Sequence, residues 1–261
     1  MFKSLNTAAT GMIAQQSNMD VLANNIANVN TVGFKKSKAE FEDLIYSSIK
    51  DPGDSNGYMS ISPNGVQTGL GVRTASIKKD FSDGSAQMTK NPLDIQIEGA
   101  GFFQIKMADG EMAFTRDGSF RKSAEGKIVD KNGNSLIPEI SIPEGVLGIE
   151  VTSTGEVRCI LSAEQGPQVV GQLEVAQFVN PAGLKSLGKN LFQMTAASGQ
   201  PNSLKPGTAG TGFLAQGQLE GSNVNIVDEM INMIAAQRAY ETNSKVIQTS
   251  DQMLQTAVNV K

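Results

Sequence analysis

Residues 224–261 read VNIVDEMINMIAAQRAYETNSKVIQTSDQMLQTAVNVK, and residues 1–30 read MFKSLNTAATGMIAQQSNMDVLANNIANVN. Both stretches carry apolar side chains at the spacing of amphipathic helices, whereas the residues between them are typical of strands and glycine turns. Terminal helices that share a heptad spacing can pack on each other or on copies of themselves. The first hypothesis is therefore assembly rather than catalysis.

Each terminal helix has two sets of positions seven residues apart, the a/d spacing of packed helices. The N-terminal sets are Leu5, Met12, Met19 and Ile26, and Ala8, Gln15, Leu22 and Val29. The C-terminal sets are Ile226, Met233, Tyr240, Ile247 and Leu254, and the only partly apolar Met230, Gln237, Ser244, Asp251 and Val258. Asn225 is the expected N-cap of the second helix.

The polar face of the first helix is almost uncharged. Between Ser4 and Phe34 the only ionisable side chain is Asp20, and the other polar residues are amides and hydroxyls. A solvated helix face usually carries Lys and Glu, so this composition favours burial against other protein. Periodicity alone leaves two interpretations open: a helix pair inside one monomer, and contact between molecules.

Composition argues against several classes of function. The 261 residues have a net charge of −4, which gives no electrostatic case for nucleic-acid binding. The chain has no His, and its one Cys is Cys159, within a strand-like run, where we expect a small core residue. We therefore expect no intrachain disulfide, metal site or cofactor. Lys35, Lys36 and Lys38 are expected to form a solvated junction.

No stretch is long and apolar enough to span a membrane, and the N-terminus lacks the apolar core of a secretory signal. A cytoplasmic location follows unless the chain is exported without a cleaved signal.

The middle of the chain predicts a second, mainly-β domain, and the fold class is α+β. Residues 31–74 are expected to connect the two parts, with a Gly-, Ser-, Asn- and Pro-rich extended loop at 47–71. From residue 75 to 223, short alternating runs are separated by turn signals at the spacing of an all-β domain. The discontinuous helical domain then comprises residues 1–30 and 224–261.

Motifs for catalysis are weak. The run from Asp130 to Asn134 imitates the start of a calcium loop, but Gly133 stands at its fourth position and no carboxylate at its twelfth, so a hairpin turn is predicted. The glycines complete no phosphate-binding pattern, and there is no histidine base for a nucleophile. We expect no enzyme and no small-molecule substrate.

Four segments resemble the bacterial flagellar rod and hook proteins. They are ANNIANVNTVGFKKSKAEF (23–41), GLGVRTASIKKDFSDGSAQMTKNPLDIQIEGAGFFQI (69–105), AFTRDGSF (113–120) and SNVNIVDEMINMIAAQRAYETNSKVIQTSDQML (222–254). The two middle segments are most similar to the distal rod members of that family. The resemblance covers the full length of the chain.

This resemblance implies a structural subunit that is exported unfolded by the flagellar type III apparatus without a cleaved signal. Such subunits polymerise helically into a rigid hollow shaft that crosses the periplasm, transmits torque to the hook and passes exported subunits. In the family, the terminal helices pair as a coiled coil lining the channel and the β domain faces outward. The implied partners are copies of the chain, proximal rod proteins, the hook protein, the surrounding L and P ring proteins and the export apparatus.

The resemblance also assigns residues. The implied subunit interface is Leu5, Met12, Met19, Leu22, Ile26, Val29, Ile226, Met230, Met233, Tyr240, Ile247 and Leu254. The family motif positions are Asn24, Asn25, Asn28, Thr31, Gly33 and Phe34 after the first helix, and Gln237, Arg238, Tyr240 and Glu241 in the second. A rod-stiffening loop is implied around Asp51, Pro52, Gly53, Tyr58 and Pro63. The alternatives are a proximal rod or hook protein and, from another class, a secreted β-rich binding module.

Overall fold

A computed structural model describes residues 2–50, 65–161, 166–208 and 210–259. The chain forms two compact units, of which unit 1 comprises residues 1–27, 37–79 and 225–261, and unit 2 comprises residues 28–36 and 80–224. Both helices belong to unit 1, while the described elements of unit 2 are strands and one short 3-10 turn. The predicted α+β class is confirmed.

Unit 1 combines two long helices with two antiparallel ribbons. Its elements are α1 (Phe2–Ala27), α2 (Ile226–Asn259), β1 (Ser37–Asp43), β2 (Tyr46–Lys50), β3 (Val66–Gly69) and β4 (Val72–Lys79). β1 pairs with β4, with a bulge after Glu40, and β2 pairs with β3. Within the described residues, neither helix has an apolar stretch long enough to cross a membrane.

These ribbons lie where the sequence predicted a connecting segment at 31–74 with an extended loop at 47–71. β1 and β4 belong to the same unit as the helices, and residues 28–36 belong to unit 2. The partner of β1 is β4, from Ser37 opposite Lys79 to Asp43 opposite Val72. Composition read along the chain does not reveal such a non-local pairing. The predicted loop residues Asp51, Pro52, Gly53, Tyr58 and Pro63 lie outside the described residues.

Unit 2 is a set of short antiparallel strands. They are β5 (Ala86–Met88), β6 (Ile95–Glu98), β7 (Phe103–Lys106), β8 (Met112–Thr115), β9 (Phe120–Lys122), β10 (Ile128–Asp130), β11 (Ser135–Ile137), β12 (Gly148–Val151), β13 (Glu156–Ile160), β14 (Gln168–Gln172), β15 (Val175–Gln177), β16 (Lys185–Gly188), β17 (Leu191–Gln193), β18 (Asn202–Leu204), β19 (Phe213–Gln216) and β20 (Gln218–Glu220). Seven form one sheet in the order β16-β17-β8-β7-β11-β10-β9 and three form a second in the order β12-β13-β14. The remaining strands pair as β15 with β18, β19 with β6, and β20 with β5.

The core of unit 2 is apolar and fully excluded from solvent at its centre. Phe103 and Phe120 meet edge to face with ring centroids 5.0 Å apart, among the buried aliphatic side chains of β6, β7 and β11. Cys159 on β13 is buried in this cluster, so its predicted role as a small core residue is confirmed. The predicted Asn132-Gly133 turn is also confirmed, since it joins β10 to β11 and the Gly133 N–H donates to Asp130 O at 2.9 Å.

Candidate assembly interface

The two terminal helices pack on each other in an antiparallel arrangement. Near one end of α1, Gly11 lies against Asn243 of α2, and near the other end Asn25 is hydrogen-bonded to Glu229. Fourteen residues separate the first and second contact on each helix, in opposite directions along the chain. The two contacts therefore fit a single antiparallel register along the helix pair. Asn225 caps α2 as predicted, because its Oδ1 accepts the Val227 N–H at 3.1 Å.

Small residues line this helix pair. A Cβ added to Gly11 would lie 2.9 Å from Nδ2 of Asn243, so a larger residue there would require the Asn243 side chain to move. α1 also buries Ala8 and Ala14, and α2 buries Ala236 and Ser250. Glycine in a helix interior costs about 0.5–1 kcal/mol relative to alanine. Here that cost is offset by a close approach of the two helices.

The α2 positions that are buried lie one residue before the second predicted heptad set. The positions that repeat every seven residues toward α1 are Glu229, Ala236, Asn243 and Ser250, of which three are buried and Asn243 is half-buried. Met230, Gln237 and Asp251 of the predicted set are exposed. Two of the four residues toward α1 are small and two are polar, so the buried face of α2 is not its most apolar face.

This packing leaves an apolar face of α2 uncovered. Val227, Met230, Ile231 and Ile234, which we name the α2 stripe, have the spacing i, i+3, i+4 and i+7 of one helix face. They are 63%, 52%, 59% and 55% exposed. A contiguous apolar face of this kind marks a protein contact surface.

The predicted interface residues fall into three groups in the structure. Leu22 is buried; the half-buried ones are Leu5, Met12, Met19, Ile26, Val29, Met233, Ile247 and Leu254; the exposed ones are Ile226, Met230 and Tyr240. Val29 is not a helical position as predicted, because α1 ends at Ala27. The chain turns there, and Thr31 donates its N–H to Asn28 O at 3.1 Å and its hydroxyl to Asn28 Oδ1 at 3.2 Å.

Within unit 2, a buried ion cluster occurs where the sequence predicted a solvated junction at Lys35. Nζ of Lys35 lies 2.6 Å from Oε1 of Glu220, and both side chains are fully buried. NH1 of the buried Arg116 lies 3.3 Å from Oε2 of the same carboxylate and 3.7 Å from Oδ1 of Asp83. Burial lowers the pKa of the Lys35 ammonium, and the Glu220 carboxylate opposes that shift. Nothing local in the sequence could reveal this pair, because its members are 185 residues apart.

Comparison with known proteins accounts for both ends of the chain and part of its middle. Family models match at residues 5–35 (flagella basal body rod protein), 96–159 (flagellar hook protein FlgE/F/G D1 domain) and 215–260 (flagellar basal body rod FlgEFG protein C-terminal). The chain is 46% identical to the flagellar basal-body rod protein FlgG of Buchnera aphidicola, over 98% of both chains. It is 46% identical to that of Borreliella burgdorferi (100% of this chain, 99% of the relative) and 40% identical to that of Bacillus subtilis, over 100% of both.

The chain belongs to the FlgG family of flagellar basal-body rod proteins.

The FlgG-family motif positions have distinct structural environments. In the last turn of α1, the buried Asn25 is hydrogen-bonded within unit 1 and the exposed Asn24 precedes it. Gly33 has φ +68°, and its N–H donates to Glu220 O at 2.7 Å; Phe34 follows it and is half-buried. On α2, Gln237 is exposed, and Arg238 and Glu241 form an exposed ion pair at 3.1 Å.

Proposed function

We propose that this chain is a structural subunit that polymerises helically into the distal rod of the bacterial flagellar basal body. The α2 stripe is the observation that carries the proposal, since it is an apolar helix face that the α1–α2 pair leaves open to another molecule. Fully burying an Ile, Val or Met side chain contributes about 1.5–3 kcal/mol. Full-length similarity to rod proteins supports copies of the chain as the molecules that cover the stripe.

The proposal includes a location and a set of partners. The subunit is exported by the flagellar type III apparatus without a cleaved signal peptide, and the polymer crosses the periplasm as a rigid hollow shaft. The shaft joins proximal rod proteins to the hook protein and turns within the L and P ring proteins. The role is mechanical, and it uses no cofactor, nucleic acid or small-molecule substrate.

Polymerisation of the full-length chain tests the proposed role of the α2 stripe. The double variant Ile231→Glu and Ile234→Glu is expected to raise the critical concentration for polymerisation by about a hundredfold or more, because two apolar contacts of about 1.5 kcal/mol each are lost. Sedimentation and negative-stain electron microscopy measure the polymer.

The matched control is Gln248→Glu with Gln252→Glu, which adds the same charge at two exposed polar positions of the same helix. This control is expected to polymerise close to the wild-type concentration. Equal critical concentrations for the two double variants would exclude the stripe as the contact surface. A wild-type chain that stays monomeric under all assembly conditions would instead favour the secreted β-rich binding module.

We also propose that the loop around Asp51, Pro52, Gly53, Tyr58 and Pro63 stiffens the rod, as the resemblance implies. Removal of about residues 47–63 should leave a folded subunit that assembles a more bendable rod. A sharper variant replaces residues 51–65 by Asn-Gly, which joins Lys50 to Val66 through a two-residue hairpin turn and keeps the β2–β3 pairing. The rod formed by this variant should have a shorter persistence length in electron micrographs.

A second variant replaces residues 51–65 by a Gly–Ser stretch of equal length. This variant separates the effect of loop length on stiffness from the effect of the loop's side chains. If both variants form rods as stiff as the wild type, the loop has no stiffening role.

A further inference from the structure

The amide of Asn25 joins three elements of unit 1. Its Nδ2 donates to Ser37 O of β1 at 2.8 Å and to Oε2 of Glu229 on α2 at 3.1 Å, while its Oδ1 accepts the Ser37 N–H at 2.9 Å. Asn25 is 1% exposed, and Glu229 is also buried. Both N–H groups of the Asn25 amide therefore donate hydrogen bonds, and one of them donates to the buried Glu229 carboxylate.

At the two contacts named above, size alone would not exclude a slip of one heptad. The α2 positions that meet α1 repeat every seven residues and hold Glu229, Ala236, Asn243 and Ser250. A slip of one heptad would bring Ser250 opposite Gly11 and Ala236 opposite Asn25. Both incoming residues are smaller than those they replace, so neither of these contacts would clash. At Asn18 the slip would bring Asn243 in place of the buried Ala236.

The polar contact, in contrast, would not survive it. In the slipped register Glu229 would lie beyond Ala27, the last residue of α1, and Asn25 would face the methyl group of Ala236. Among the described residues, Asn25 is the side chain that donates a hydrogen bond to the Glu229 carboxylate. A slip of one heptad in the other direction would place residue 222, outside α2, opposite Asn25.

We propose that Asn25 is the positioning residue that sets the register of the two terminal helices and aligns α1 with the β1–β4 ribbon. A single buried amide selects one register of a helix pair because every other register leaves it unpaired. Here the bidentate contact with Ser37 fixes the amide relative to β1, and the contact with Glu229 then fixes α2. Register matters for the proposed polymer, since it determines where the α2 stripe is presented along each subunit.

Disulfide crosslinking in the full chain tests this inference. In a Cys159→Ser background, Gly11→Cys with Asn243→Cys reports the observed register. Gly11→Cys with Ser250→Cys and Asn243→Ala reports the slipped one, and Asn243→Ala removes the side chain that a Cβ at position 11 would meet in the observed register. Without a change at Asn25, only the first pair should crosslink efficiently. Asn25→Leu should lower the ratio of observed to slipped crosslink by about tenfold or more, the effect of losing one buried hydrogen bond to a charged group.

Three further variants separate the possible causes. Asn25→Asp keeps the shape but cannot donate to Glu229, and Glu229→Ala removes the acceptor while keeping the Asn25–Ser37 contact; both should lower the ratio as Asn25→Leu does. Asn24→Leu changes the neighbouring, exposed asparagine and should leave it unchanged. An unchanged ratio in Asn25→Leu would overturn the inference. So would a variant that gives neither crosslink, because Asn25 would then be needed for pairing itself rather than for the choice of register.

The inference concerns the helix pair within one subunit and rests on the proposed function only for its consequence in the polymer. Sedimentation of the same samples reports polymerisation on a separate signal. A chain with the observed register that does not polymerise would count against the rod proposal alone, and a polymer with mixed registers against the role of Asn25 alone.

Discussion

Replacing Glu220 by glutamine is expected to lower the free energy of unfolding of unit 2 by about 3–5 kcal/mol, the usual effect of removing one partner from a buried ion pair. Oε1 of Glu220 accepts hydrogen bonds from Lys35 at 2.6 Å and from the Gly84 N–H at 3.0 Å, and Oε2 faces Arg116. Glutamine keeps the size of the side chain but places an NH2 group beside a buried cation. Two buried cations would then lack their shared anion.

Urea unfolding followed by far-UV circular dichroism measures this effect. Glu156→Gln on β13 is the matched control, because the Glu156–Arg158 pair has an N–O distance of 2.7 Å but both side chains are more than a third exposed. Partly exposed pairs contribute about 0–1 kcal/mol, so the control should unfold near the wild-type midpoint. Similar midpoints for the two variants would show that the cluster at Glu220 does not stabilise the fold.

Replacing Gly118 by alanine is expected to destabilise unit 2 by about 3 kcal/mol, near the upper end of the usual range for overpacking a core. A Cβ at this position would lie 1.6 Å from the backbone oxygen of Ile95. Ile95 cannot easily move away, because it is fully buried and paired with Gln216 in the β6–β19 ribbon. Its N–H also donates to Gly118 O at 3.1 Å, so the two backbone segments are held together.

Gly166→Ala is the corresponding control, since a Cβ there meets no atom within 4 Å and its backbone needs no positive φ. At such a site the substitution stabilises by about 0.4–1 kcal/mol through the unfolded chain. Thermal unfolding of both variants should therefore show shifts of opposite sign. A Gly118→Ala variant with the wild-type midpoint would mean that β6 can shift by more than an ångström without loss of packing.

Local features of the chain were predictable because they depend on neighbouring residues. The heptad spacing predicted both terminal helices, and Asn225 predicted the start of α2 within one residue. The Asn132-Gly133 turn and the buried Cys159 follow from the same short-range patterns. The resemblance of residues 23–41 and 222–254 to rod and hook proteins indicated the family before any contact between these segments was known.

The face that each helix presents could not be predicted in the same way. The sequence placed Met230 in a heptad set and Glu229 in the first turn of α2, and the spacing alone did not show that Glu229 is the buried one of the two. In the structure Gly11 lies against Asn243 and the small Ala236 is buried, whereas the large apolar residues of the α2 stripe are exposed.

By itself, the sequence determined the secondary structure at both ends, the β-rich middle and the family. Only the tertiary structure decided which residues of those elements meet. The sequence indicated that Lys35 is solvated, but the fold pairs it with Glu220, which is 185 residues away in the chain. Asn25 is one of several amides in the sequence, and only the fold surrounds it with Ser37 and Glu229. The physical reason is that burial and pairing are properties of the whole fold, so a charge or an amide has no fixed role until its distant partner is in place.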